Sequence, residues 1–148
     1  MRQSVIALLG RGDEPTDAVE EYCLHLRSAL ESHDLQLEVH RFPWRSCGWR
    51  KALRGLRLQA SGWRGMWVVV QYTALAWSAR GFPTRFSSIL KVLRSAGARV
   101  AVIFHDAEPF GGTRLIDRLR RVIQIRTMRW AATFADVCVY TVPPEKLT

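Results

Sequence analysis

The stretch ARVAVIFHDAEPFGG, Ala98 to Gly112, decides how this chain is built. Apart from Arg99, its first seven residues are apolar, and they do not alternate with polar ones. A strand that faces solvent on one side alternates, whereas a parallel strand covered on both faces reads as a continuous Val/Ile/Leu run. The run then ends abruptly on two ionisable side chains, His105 and Asp106, before a Pro–Gly turn. Two other segments share the continuous pattern: SVIALLG (Ser4–Gly10) and MWVVVQY (Met66–Tyr72). LQLEVHRF (Leu35–Phe42) alternates and so belongs nearer a sheet edge, and ADVCVYTV (Ala135–Val142) supplies a fifth strand.

Helical periodicity fills the intervals. From Thr16 to Ser32, Val19, Tyr22, Cys23, Leu26 and Leu30 recur at steps of three and four, with Asp13 or Thr16 as a cap and Pro15 in the first turn. From Thr84 to Ala96, Phe86, Ile89, Leu90 and Leu93 form a second stripe, and Gly97 is placed to end it. From Thr113 to Phe134, Leu115, Leu119, Val122, Ile123 and Trp130 share one side of a long helix. Strands alternating with helices imply right-handed crossovers. The expected fold is a single α/β domain over residues 1–148. It is a Rossmann-like, doubly wound parallel sheet of about five strands in the order 2-1-3-4-5, with helices on both faces.

Composition narrows the function classes. Hydrophobic residues make up 48% and charged residues 24%, values of a folded globular chain rather than a disordered one. The 22 basic residues against 13 acidic ones leave a net charge of +9, and 19 of the 22 are arginine. Arginine forks match phosphate and carboxylate, so an anionic partner is favoured. Cys23, Cys47 and Cys138 are widely spaced and form no CxxC pair, which argues against a disulfide framework or a zinc site and for a reducing, cytoplasmic compartment. The opening MRQSVIALLG reads as a strand and not a signal peptide, because acidic residues follow its short apolar run at once. No stretch approaches the ~18 apolar residues of a membrane-spanning helix. Membrane contact, if made, would be peripheral, at the inner face.

In an open parallel sheet, ligands bind beyond the carboxyl ends of the strands, near the reversal of strand order. The loops there begin GRGDEP, TALAWSARGFP and HDAEPFGG. Gly10 and Gly12 would let backbone N–H groups approach a phosphate at a helix start, or they form a plain tight turn. The third glycine of a dinucleotide fingerprint is missing, and Asp13 and Glu14 would repel a pyrophosphate, so NAD is excluded. His105 and Asp106 could hydrogen-bond sugar hydroxyls or move a proton, or they could merely close the strand. Arg114, Arg118, Arg121 and Arg129 fall on one solvated side of the last helix. Arg126 falls among its apolar residues, where it either snorkels or meets an acidic or phosphate partner. Between Arg41 and Trp67, four tryptophans mix with six arginines and one lysine. Trp44, Arg45, Trp49, Arg50, Lys51 and Arg54 suit an anionic membrane surface, single-stranded nucleic acid, or an ordinary crossover packed on the sheet. Nucleic acid is the least favoured, since no recognition motif appears.

The glycine-bearing segment LLGRGDEPTDAVEEYCLHLRSAL, the strand VAVIFHDAEPF and the arginine-rich helix leading to FADVCVYTVPPEKL stand in a familiar order. Together they resemble the N-terminal, acceptor-side domain of GT-B glycosyltransferases, in particular the retaining family-4 group, over nearly the whole chain. That resemblance implies sugar transfer from a nucleotide-sugar donor to a glycan or lipid-linked acceptor. It would put Gly10 and Gly12 at the donor phosphates, His105 on the donor sugar and Asp106 beside the acceptor. Thr141 stands where the family's fifth strand ends in serine. The family's donor-binding half, with its paired glutamates, has no counterpart in the sequence. The resemblance therefore implies a half without cofactor or metal of its own, inactive until a C-terminal donor-binding domain or subunit joins it. The alternative it leaves is a non-catalytic subunit that anchors or binds the acceptor at a membrane surface.

Overall fold

The five apolar runs form one sheet. The structure, a computed structural model, describes residues 2–10, 18–105 and 111–141. The strands are β1 (Gln3–Leu9), β2 (Leu35–Arg41), β3 (Trp67–Tyr72), β4 (Arg99–Phe104) and β5 (Val137–Tyr140). Every pairing is parallel and the order is β2-β1-β3-β4-β5, as the alternation of strands and helices requires. Ile6, Val68 and Val100 sit in register, as do Leu8, Val70 and Val102, so apolar rows run straight across the centre. The alternating β2 lies at one edge and the short β5 at the other.

The helices are α1 (Ala18–Glu31), α2 (Trp44–Cys47), α3 (Trp49–Ala60), α4 (Phe86–Ser95) and α5 (Leu115–Phe134). They divide unequally. On one face α1 brings Cys23, Val19, Leu26 and Leu30 onto Val5, Ala7, Leu9 and Leu37. On the other, α2, α3, α4 and α5 cover Ile6, Leu8, Val68, Val70, Tyr72, Val100, Val102 and Phe104 in a much larger core. The uneven cover shows at β5, where Val137 and Val139 on the α1 side remain exposed. No helix among the described residues is long and apolar enough to cross a membrane.

Local chemistry sets the boundaries. Gly97 takes φ +82° after α4 and donates to Arg94 O, the left-handed turn expected of a helix-ending glycine. Asp136 anchors the start of β5 twice: its backbone N–H reaches Val100 O, and its Oδ2 accepts from Val100 N at 2.8 Å. The crossover between β2 and β3 is two helices rather than one, because Gly48 breaks the path at φ +81°. The proposed cap of α1 at Asp13, Pro15 or Thr16 lies outside the described residues.

One expectation is corrected. Leu115, Leu119 and Val122 do not face the sheet; Leu115 is 83% exposed and the other two about half. Helix α5 is turned so that Gln124 and Ala131 are buried instead. The cause is polar. Arg120 Nε donates to Arg80 O at 2.8 Å and Gln124 Nε2 to Gly81 O at 2.8 Å, while Arg120 lies over the Phe82 ring. Gly81 admits this approach, since a Cβ there would meet Arg120 Cδ at 2.8 Å. Buried carbonyls of the 80–82 loop need donors, and satisfying them outweighs burying three aliphatic side chains at the helix start.

Candidate functional site

The reversal of strand order falls between β1 and β3, and the residues ending β1, β3 and β4 meet at its carboxyl edge. His105 follows β4 directly, and its backbone N–H donates to Tyr72 O at 3.0 Å, extending the ladder by one bond. Strand parity sends its side chain to the α1 side, as it does for Gln71 of β3. There His105 Nε2 lies 2.6 Å from Gln71 Oε1. An amide oxygen only accepts, so Nε2 carries the proton in this contact. Tyr22 of α1 packs edge-on against the imidazole, with ring centroids 4.9 Å apart. The histidine is thus held by contacts from β3 and α1, and half-buried.

Gln71 is the residue that sequence reasoning missed. Its side chain is 1% exposed, and its Nε2 finds no hydrogen-bond partner. A buried donor left unpaired costs about 1–3 kcal/mol, so such groups are rare in folded chains. The glutamine interrupting the apolar run of β3 was the available signal.

Gly10 has a different occupation from the one its sequence context suggests. A Cβ there would stand 2.5 Å from Ala76 O and 2.7 Å from two atoms of the Trp77 indole. Trp77 is fully buried, and its Nε1 donates to Gln71 O at 2.9 Å. Ala76 O accepts from Trp44 Nε1 at 2.9 Å. The loop after β3 therefore folds back over the end of β1, and the missing side chain of Gly10 makes room for it. Gly12 and Asp106, together with Glu108, lie outside the described residues. The Thr141 hydroxyl accompanies its own N–H to Phe104 O, closing β5 onto β4.

The tryptophan–arginine segment separates by depth. Trp44 is only 8% exposed and belongs to the core, with Trp49 stacked on it at 5.7 Å. Arg45, Arg50, Lys51 and Arg54 are exposed along α2 and α3. Trp44 therefore serves packing, which leaves the cations alone to meet a partner. A wider signal was present: between Val39 and His105 there are ten arginines and two lysines and not one Asp or Glu.

Two shifted groups lie at the β5 edge. Burial pushes the Cys138 thiol up; burial, and then the charge of Cys138, push the Tyr140 phenol up. Among the described residues no group of three His, Cys, Asp or Glu side chains is arranged to hold a metal.

The fold and rim define a class, a doubly wound parallel α/β domain with a polar pair at its ligand edge. Comparison with known proteins takes the matter no further: no family model, no characterised protein and no solved structure matches the chain.

Proposed function

We propose that this chain is the acceptor-side half of a glycosyltransferase, using the rim at His105 to hold a hydroxyl-rich ligand while a donor-binding half supplies the nucleotide-sugar. The observation that carries the reading is the Gln71–His105 pair. A buried amide N–H without a partner stands beside the His105 imidazole at the carboxyl edge of the sheet. Sugar hydroxyls both donate and accept, so one can take the Gln71 N–H. Transfer then draws on positioning by both halves, with the leaving diphosphate neutralised by groups of the donor half. The order of sequence motifs supports the same reading.

The test is titration of the isotope-labelled chain with a panel of glycans and, separately, nucleotide-sugars. Amide shifts at residues 71–73 and 105, abolished by His105→Ala, are expected. Absence of any shift there with every ligand would remove the rim from the proposal.

A second reading is favoured by α5. Leu115, Ile116, Leu119 and Val122 are exposed among Arg114, Arg118 and Arg121, the make-up of a helix lying at an anionic membrane surface. In that reading the chain anchors an acceptor for a separate catalytic partner.

A further inference from the structure

The twelve cations between Val39 and His105 are not equally engaged. Arginines with a carboxylate in reach pair with it: Arg41 with Glu20, Arg94 with Asp136 at 3.0 Å, and Arg120 with Asp117 at 2.9 Å. Arg57, Arg64 and Lys91 have no such partner among the described residues. They converge instead on a cleft of about 540 Å³ between α3 and α4, together with the hydroxyls of Ser88 and Ser95. No acidic side chain lines it.

Across α4 lies a second cleft of about 350 Å³, between α4 and α5. Lys91 lines both, and the second adds Arg126 with Ser87 and Thr127. Lys91 is steadied there by the Trp130 ring, 5.8 Å from its Nζ. Arg126 is the arginine whose place among apolar neighbours on the helix implied either snorkelling or an acidic or phosphate partner; among the described residues no carboxylate pairs with it. Cations near helix C-termini can serve the helix dipole alone. Arg57 sits in the last turn of α3, but Arg64 lies beyond that helix and Arg126 in the middle of α5, so the dipole does not account for the set.

We propose that these two clefts form one phosphate-binding anion site, with Lys91 shared between them. Guanidinium forks and serine or threonine hydroxyls donate to the several oxygens of a phosphate, which a single carboxylate would leave partly unmatched. The site lies on the sheet face covered by α3, α4 and α5, whereas His105 points to the α1 face. It does not rest on the glycosyltransferase reading. The phosphates could belong to a soluble diphosphate or to adjacent lipid headgroups, and the two sources are separable by experiment.

Two probes are used at low salt: inorganic pyrophosphate by calorimetry, and phosphatidylglycerol vesicles by flotation against phosphatidylcholine vesicles. Binding of pyrophosphate alone identifies a soluble ligand, and flotation alone identifies headgroups. The triple variant Arg57→Gln/Arg64→Gln/Lys91→Gln is expected to weaken binding by about tenfold or more. A control triple, Arg2→Gln/Arg80→Gln/Arg99→Gln, removes the same charge elsewhere and should retain most of the affinity. All six side chains are exposed, so both variants should melt like the parent. Failure of both probes to bind, or equal weakening by the two triples, overturns the proposal, the latter by showing bulk charge alone.

Discussion

Replacing Gly10 by alanine tests the packing of the rim with a single methyl group. The added carbon would lie 2.5 Å from a backbone oxygen, Ala76 O, and 2.7 Å from Cδ2 and Cε2 of Trp77. Neither neighbour can yield cheaply. The carbonyl is held by Trp44 Nε1, and the indole is buried and tied to Gln71 O. Overpacking of this kind costs about 1–3 kcal/mol, and the rigidity on both sides argues for the upper end. At about 2–4 °C per kcal/mol for a chain of this size, the melting temperature should fall by about 6–12 °C. Gly55→Ala is the matched control. It adds the same methyl within α3, where nothing lies within 4 Å, and should gain about 0.5–1 kcal/mol from helix propensity. Thermal unfolding followed by circular dichroism reads both. If Gly10→Ala melts within about 2 °C of the parent, the close approach of the 76–77 loop is wrong.

Three further outcomes are expected. His105→Ala should leave the fold intact, at about 1 kcal/mol for the lost Gln71 bond, while abolishing the ligand-induced shifts at the rim; unchanged shifts would take His105 out of the site. Leu115→Ser/Leu119→Ser should alter stability by no more than about 0.5 kcal/mol per site, because both side chains are exposed, yet reduce flotation with anionic vesicles if α5 lies on the membrane; equal flotation would discard the anchoring reading. Because Cys138 and Tyr140 have folded pKa values raised by burial, their neutral forms contribute stability that is fully present below the unfolded-state pKa values. That contribution is lost as pH rises through the thiol and then the phenol range, above about pH 8.5. Urea midpoints measured up the alkaline limb should therefore fall less steeply in Cys138→Ala; parallel curves would dismiss the thiol as the cause.

Strand and helix identity, their order and the edge position of β2 were legible in the sequence. Each depends on a short-range pattern: continuous apolar residues for β1, β3 and β4, alternation for β2, and three- and four-residue steps for α1 and α4. The parallel arrangement then follows from crossover geometry, and it brings His105 to the ligand edge. The polar pair was half legible, because His105 announces itself at a strand end while Gln71 is one unremarked amide within WVVVQY. Periodicity names the stripe of a helix but does not choose its rotation when polar and apolar docking compete. Only the carbonyls of the 80–82 loop, some forty residues away, turn Gln124 inward and Leu115 outward. The glycine context of Gly10 does not reveal the close approach of Ala76 and Trp77, which only the fold brings against its α-carbon. Likewise the sequence counts the arginines, but pairing depends on which carboxylates the fold brings near. Arg94 receives Asp136 from across the chain, and Arg57, Arg64 and Lys91 receive none among the described residues.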